Sequence, residues 1–161
     1  PHVAPSMKSY LIIVTICLLS PVMASAELSL PNIFSDHMVL QRERTASIWG
    51  TATPGSRVGI DFKGQQTSVD TNTNGHWRVG IPTGKADGKG ATLTIQSGSQ
   101  TVAIKDVMVG EVWLASGQSN MVFSMNRVPA YAEIIATSAH PEIRMFNAQS
   151  VTAVELSLIH I

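Results

Sequence analysis

Ser119 lies in the stretch GEVWLASGQSNM, residues 110–121, where an apolar run breaks into a small polar loop with Gln118 and Asn120 flanking one serine. A serine hydroxyl so placed could attack an ester carbonyl, provided a histidine takes its proton and hydrogen-bond donors receive the oxyanion. Gly117 would permit a sharp turn, and a helix after the loop could aim backbone N–H groups and its positive end at the developing charge. An ordinary turn serine fits the same stretch, so position alone leaves both readings open. Met121 stands where the nucleophile elbow GxSxG has its second glycine, which argues against an ordinary α/β-hydrolase.

The elements that must position this loop fall into two groups. Before residue 105, short β-rich runs at 46–50, 57–62, 67–71, 77–81, 92–96 and 101–104 are separated by Pro54-Gly55, Lys63-Gly64, Asn74-Gly75 and Ser97-Gly98. Short alternating runs with turn dipeptides between them predict an antiparallel β-sandwich. After residue 105 the pattern changes. Residues 107–115 are aliphatic on both faces, as in a strand covered by helices. Residues 129–139 are alanine-rich, with Tyr131, Ile134 and Ile135 on one helical face, Pro141 ends that run, and 143–146 is apolar again. Strand, loop, helix and strand in that order open a parallel α/β unit, with Ser119 at the carboxyl end of its first strand, where ligands bind.

Four ordered blocks carry a resemblance to a known family: LPNIFSDHMVLQR, WGTATPGSRV, NGHWRV and IKDVMVGEVWLASGQSNM. Together they resemble the sialate O-acetylesterases and related carbohydrate acetylesterases of the SGNH hydrolase superfamily, over nearly all of the chain between its two ends. The resemblance implies an all-β sandwich followed by the start of a three-layer α/β/α SGNH domain. It also implies that Ser119 is the nucleophile and a backbone oxyanion donor, supported by the loop residues Gly117, Gln118 and Asn120. The substrate implied is an O-acetylated sialic acid or another acetylated glycan, hydrolysed without metal or organic cofactor. In that superfamily the base and its carboxylate come from a DxxH block, with a glycine and an asparagine in intermediate blocks completing the oxyanion hole. No DxxH follows Ser119 here, since Thr137 precedes His140 by three places and Ser157 precedes His160. The chain is therefore expected to be an inactive amino-terminal piece of a longer enzyme. Two departures stand in the serine block: Ala115 where the family often has cysteine, and Val122-Phe123 where it commonly has Glu-Trp, which bears on the sugar-side pocket. The competing reading is a secreted carbohydrate-binding β-sandwich with a non-catalytic serine block.

The ends of the chain are expected to lie outside the folded part. Met7-Lys8, an apolar run over 11–19 and Ala24-Ser25-Ala26 follow the order of a signal peptide, too short in its apolar part to span a membrane. The expected division is an over-extended start plus signal peptide at 1–26, a β-sandwich at 27–105, an incomplete catalytic domain at 106–155 and an adapter-derived tail at 156–161. The last assignment rests on LSLIHI, which a transposon mosaic end used in sequencing libraries can encode. The mature protein is expected in the periplasm or outside the cell, with no membrane attachment after signal cleavage. Cys17, the only cysteine, falls within the signal, so no disulfide or thiolate-held metal is expected. Eleven basic residues balance eleven acidic ones, which disfavours nucleic acid as a partner. Asp36-His37 is expected to be a turn carboxylate beside a surface or packing histidine, and His76 to follow a hairpin turn. Trp49, Trp77 and Trp113 could stack on a sugar if two were exposed on one face, but their placement within strands points to core packing.

Overall fold

The computed structural model describes residues 26–148. The expected signal segment short of Ala26, and the expected adapter tail, lie outside these residues. Seven strands form within them: β1 Val39–Gln41, β2 Thr45–Thr51, β3 Arg57–Phe62, β4 Gln65–Asp70, β5 His76–Pro82, β6 Asp87–Ser97 and β7 Gln100–Gly110. A five-stranded sheet has the order β1-β7-β6-β3-β4, and β2 pairs with β5 as an antiparallel ribbon. All neighbours are antiparallel except β1 and β7, which run parallel with Val39 opposite Met108 and Gln41 opposite Gly110.

The period-two pattern explains why these segments are strands and what they bury. Val58, Ile60 and Phe62 of β3 face inward while Arg57 points to solvent, and Ile48 and Gly50 do the same on β2. With Trp77 and Ile81 of β5, Leu93 and Ile95 of β6 and Ile104 and Val107 of β7, they form one apolar cluster shared by sheet and ribbon. The molecule is thus mostly β, with one core between the sheet and the ribbon. Lys63 and Gly64 join β3 to β4 with φ of +52° and +77°, the left-handed pair that suits a two-residue hairpin.

β7 changes phase in its middle. Between the Leu93–Ile104 and Ala91–Val107 pairs it holds one more residue than β6, a bulge at which Asp106 takes φ +54°. Beyond it Val107, Met108 and Val109 are all buried, and β1 flanks the strand on one side and β6 on the other.

The turn before β5 is held by close backbone approach. Gly75 has φ +79°, and a β-carbon there would lie 2.5 Å from the Ala52 carbonyl oxygen. Gly75→Ala is expected to cost about 1–3 kcal/mol, combining a strained φ with a backbone clash. Gly64→Ala, at a similar φ but with open space around it, should cost less. Urea denaturation of the two variants checks this, and equal losses would mean that the clash relaxes freely.

The structure departs from expectation after Gly110. Residues 107–110 complete β7, so the expected division between 105 and 106 falls inside a strand. The expected strand over 107–115 stops at Gly110 because its partner stops: Arg42 N–H donates to the Gly110 carbonyl at 2.8 Å, and Glu43 then turns the chain away with φ +52°. Without a neighbour, residues 111–117 form no strand, and Trp113 and Leu114 are 87% and 90% exposed. The expected helix over 129–139 is a 3₁₀ turn, Pro129–Tyr131, followed by the short helix α1, Ala132–Ala136. Residues 143–146 form no strand.

Candidate active site

Gly117, Gln118, Ser119 and Asn120 lie on one exposed turn that follows the end of β7. Gln118 is extended, with φ −93° and ψ −153°, and a 3₁₀ turn runs from Ser119 to Val122. Met121 N–H donates to the Gln118 carbonyl at 2.9 Å, closing the turn around the serine. A β-carbon on Gly117 would come within 2.9 Å of the Met121 side chain, so the glycine lets the chain fold back over that methionine. Four residues of 3₁₀ backbone carry little aligned dipole, so the electrostatic help expected from a following helix is not supplied by this turn. Among the described residues no side chain hydrogen-bonds to Ser119 Oγ.

How the chain reaches that turn is set by a polar knot at the end of the sheet. Gln41 accepts Val112 N–H at 2.8 Å and donates to Glu111 at 2.9 Å, while Arg42 Nε donates to the other Glu111 oxygen at 2.6 Å. The hydrogen bonds from Gln41 and Arg42 hold the Glu111 carboxyl below the usual carboxylate range. β1 thereby directs both the last strand and the first residues of the serine segment.

A second anchor lies further along the segment. Arg144 Nη2 donates to Asp106 Oδ2 at 2.8 Å, and its Nη1 reaches the Asp106 and His37 carbonyl oxygens. His37 Nδ1 meets the same Asp106 oxygen at 2.7 Å, and the neighbouring Asp36 accepts Lys105 N–H at 2.6 Å. No sequence pattern singles out Asp106 or Arg144. Their only local signal is a charged residue interrupting an otherwise apolar strand or run.

The hydrogen bond from His37, then that from Arg144, depresses the Asp106 carboxyl from its ordinary value. A depressed acid stabilises the fold above its unfolded pKa, about 3.9, and that contribution disappears as pH falls through the lower folded value. Asp106→Asn should therefore be less stable than the parent chain near neutrality, with the gap closing in acid. Denaturation midpoints against pH test this, and a gap that stays constant into acid would remove the carboxylate from the explanation.

The three tryptophans divide. Trp77 is in the core, Trp49 is half-buried with Phe34 edge-on at 4.6 Å, and Trp113 is exposed instead of packed. His76, the first residue of β5, is exposed just after its turn. Among the described residues no three His, Cys, Asp or Glu side chains cluster as metal ligands would.

No protein-family model matches the chain. It is 31% identical over 135 residues to a sialate O-acetylesterase of Mus musculus, spanning 77% of this chain and 25% of that protein. The sialate O-acetylesterase of Homo sapiens is 32% identical over 133 residues, with 76% and 25% covered. A solved structure, a carbohydrate acetylesterase from Xanthomonas citri, superposes with a TM-score of 0.63 at 31% identity, over 68% of this chain and 25% of its own. The chain thus spans about a quarter of the length of the proteins it matches.

Proposed function

The chain belongs to the sialate O-acetylesterase family, and from that membership we propose that it forms part of a serine esterase removing O-acetyl groups from sialic acid or a related acetylated sugar. Ser119 is its nucleophile: Oγ attacks the acetyl carbonyl carbon as a histidine base takes the hydroxyl proton. The tetrahedral oxyanion is held in part by the Ser119 backbone N–H, the sugar oxygen leaves with the proton, and water then releases acetate from the acetyl-serine. The single observation that carries this reading is the serine's place, on an exposed glycine-led turn in the segment that leaves β7, in a chain aligned with acetylesterases.

Further proposals follow from the same membership. The strands through β7 act as a β-sandwich, and the segment after Gly110 begins an SGNH-type domain whose base and remaining oxyanion donors come from the rest of the longer protein. The protein works after export, in the periplasm or outside the cell, on an acetylated glycan. The 161-residue chain by itself is inactive on this reading, because no described residue supplies a base to Ser119.

The test is covalent. A fluorophosphonate probe should label the full-length protein at Ser119, located by peptide mass spectrometry, and that protein should release acetate from an O-acetylated sialic acid. A full-length protein that neither takes the label nor releases acetate, yet still binds sugar, would be the carbohydrate-binding module instead.

A further inference from the structure

A shallow cleft of about 320 Å³ opens where the β2–β5 ribbon pairs Trp49 with Arg78 and Gly50 with Trp77. Its volume sits at the lower end of the roughly 300–1,000 Å³ typical of small-ligand sites, room for one substituted ring and not for a chain. Asn72 and His76 complete the lining. None of these residues comes from the segment that carries Ser119.

The lining contains no carboxylate, and its polar groups are mainly donors. Arg78 lies with its guanidinium carbon 5.3 Å from the Trp49 ring centroid, within reach of a cation–π attraction that draws the guanidinium towards this cleft. Arg78, the only cation that lines the cleft, makes no ion pair among the described residues. Its N–H donors are thus available to a carboxylate. Asn72 is oriented by its own turn: its Oδ1 accepts the Asn74 and His76 N–H groups at 2.9 Å each, which leaves Nδ2 as a donor. Phe34 braces the outer aromatic wall by its edge-on contact with Trp49. Trp77, whose buried Nε1 has no acceptor among the described residues, contributes the inner wall.

A guanidinium without an ion pair, an oriented amide donor, an imidazole and indole surface suit a ring with an apolar face, hydroxyl groups and a carboxylate. We propose that this cleft is a non-catalytic subsite for an acidic sugar, holding the carboxylate on Arg78 and the ring against the indole wall. The proposal does not depend on Ser119 being a nucleophile. In the full-length protein the site would hold one residue of an acidic glycan away from the ester being cleaved.

The experiment is an NMR titration of the full chain that follows the Arg78 Nε–H and Trp49 indole resonances. Sialic acid and glucuronic acid are the acidic probes, galactose the neutral ring, and sodium acetate the bare anion. Saturable shifts are expected with the two acidic sugars, with galactose and acetate each much weaker. Arg78→Gln, a change at an exposed position, should weaken acidic-sugar binding roughly 10–100-fold, and Arg78→Lys should restore part of it. Ser119→Ala should leave binding unchanged, which separates this site from the proposed catalytic one. Equal binding of galactose, acetate binding as tight as the sugar's, or indifference to Arg78→Gln would each overturn the proposal. So would loss of binding in Ser119→Ala, or no saturation at all.

Discussion

Ser119→Ala in the full-length protein is expected to lower kcat for sugar deacetylation by about 10⁴–10⁶-fold while KM moves only a few-fold. The asymmetry follows from what the hydroxyl does. It forms a bond only during the reaction, so its removal costs transition-state stabilisation and little ground-state binding. The serine's backbone N–H survives the substitution, so some acceleration over water should persist. Ser119 is exposed and makes no side-chain hydrogen bond among the described residues, so the variant should fold as the parent does. Acetate release under saturating substrate, alongside an unchanged thermal midpoint, provides the measurement. A loss below about tenfold would assign the chemistry to another residue and return Ser119 to the role of a turn serine.

Phe62→Ala is expected to destabilise the β portion by about 3–5 kcal/mol. Phe62 is 2% exposed at the end of β3, paired with Leu93 on one side and Gln65 on the other. Its ring is among the largest fully buried side chains, and deleting it removes apolar burial and leaves a cavity that rigid neighbouring strands cannot close. Typical domains hold only about 5–15 kcal/mol of net stability, so the variant should approach its unfolding limit at ordinary temperature. Urea titration read by tryptophan fluorescence measures it directly, since Trp77 reports from the same cluster. Gln66→Ala on the exposed edge strand serves as control, and a comparable loss there would mean that core packing is not the cause.

Much of the β portion was legible because its signals are local. The alternation in RVGIDF, closed by Lys63-Gly64, specifies a strand, a face and a hairpin within eight residues, and the structure has that strand from Arg57 to Phe62. The stretch over 107–115 misled for a physical reason: an apolar run looks the same whether neighbours pair with it or not, and pairing here ends with β1. Likewise, the alanine-rich run after Pro129 has good helix propensity, yet its helical α-turns span only Ala132–Ala136 without a packed face to sustain them. The serine loop was found through its residue types and the family resemblance. The anchor built from His37, Asp106 and Arg144 left no pattern, since groups 69 and 38 positions apart share no period in the sequence.

The parallel pairing of β1 with β7 also dictates a timetable. Gln41 finds its hydrogen-bond partner at Val112, 71 positions later, so this strand emerges from the ribosome long before anything exists for it to join. At about 5–20 residues per second the wait is several seconds, during which the hairpin of β3 and β4 can already close. The earliest strand to be made is therefore among the last to be paired, and the register that aims the serine segment is set only once that segment is present.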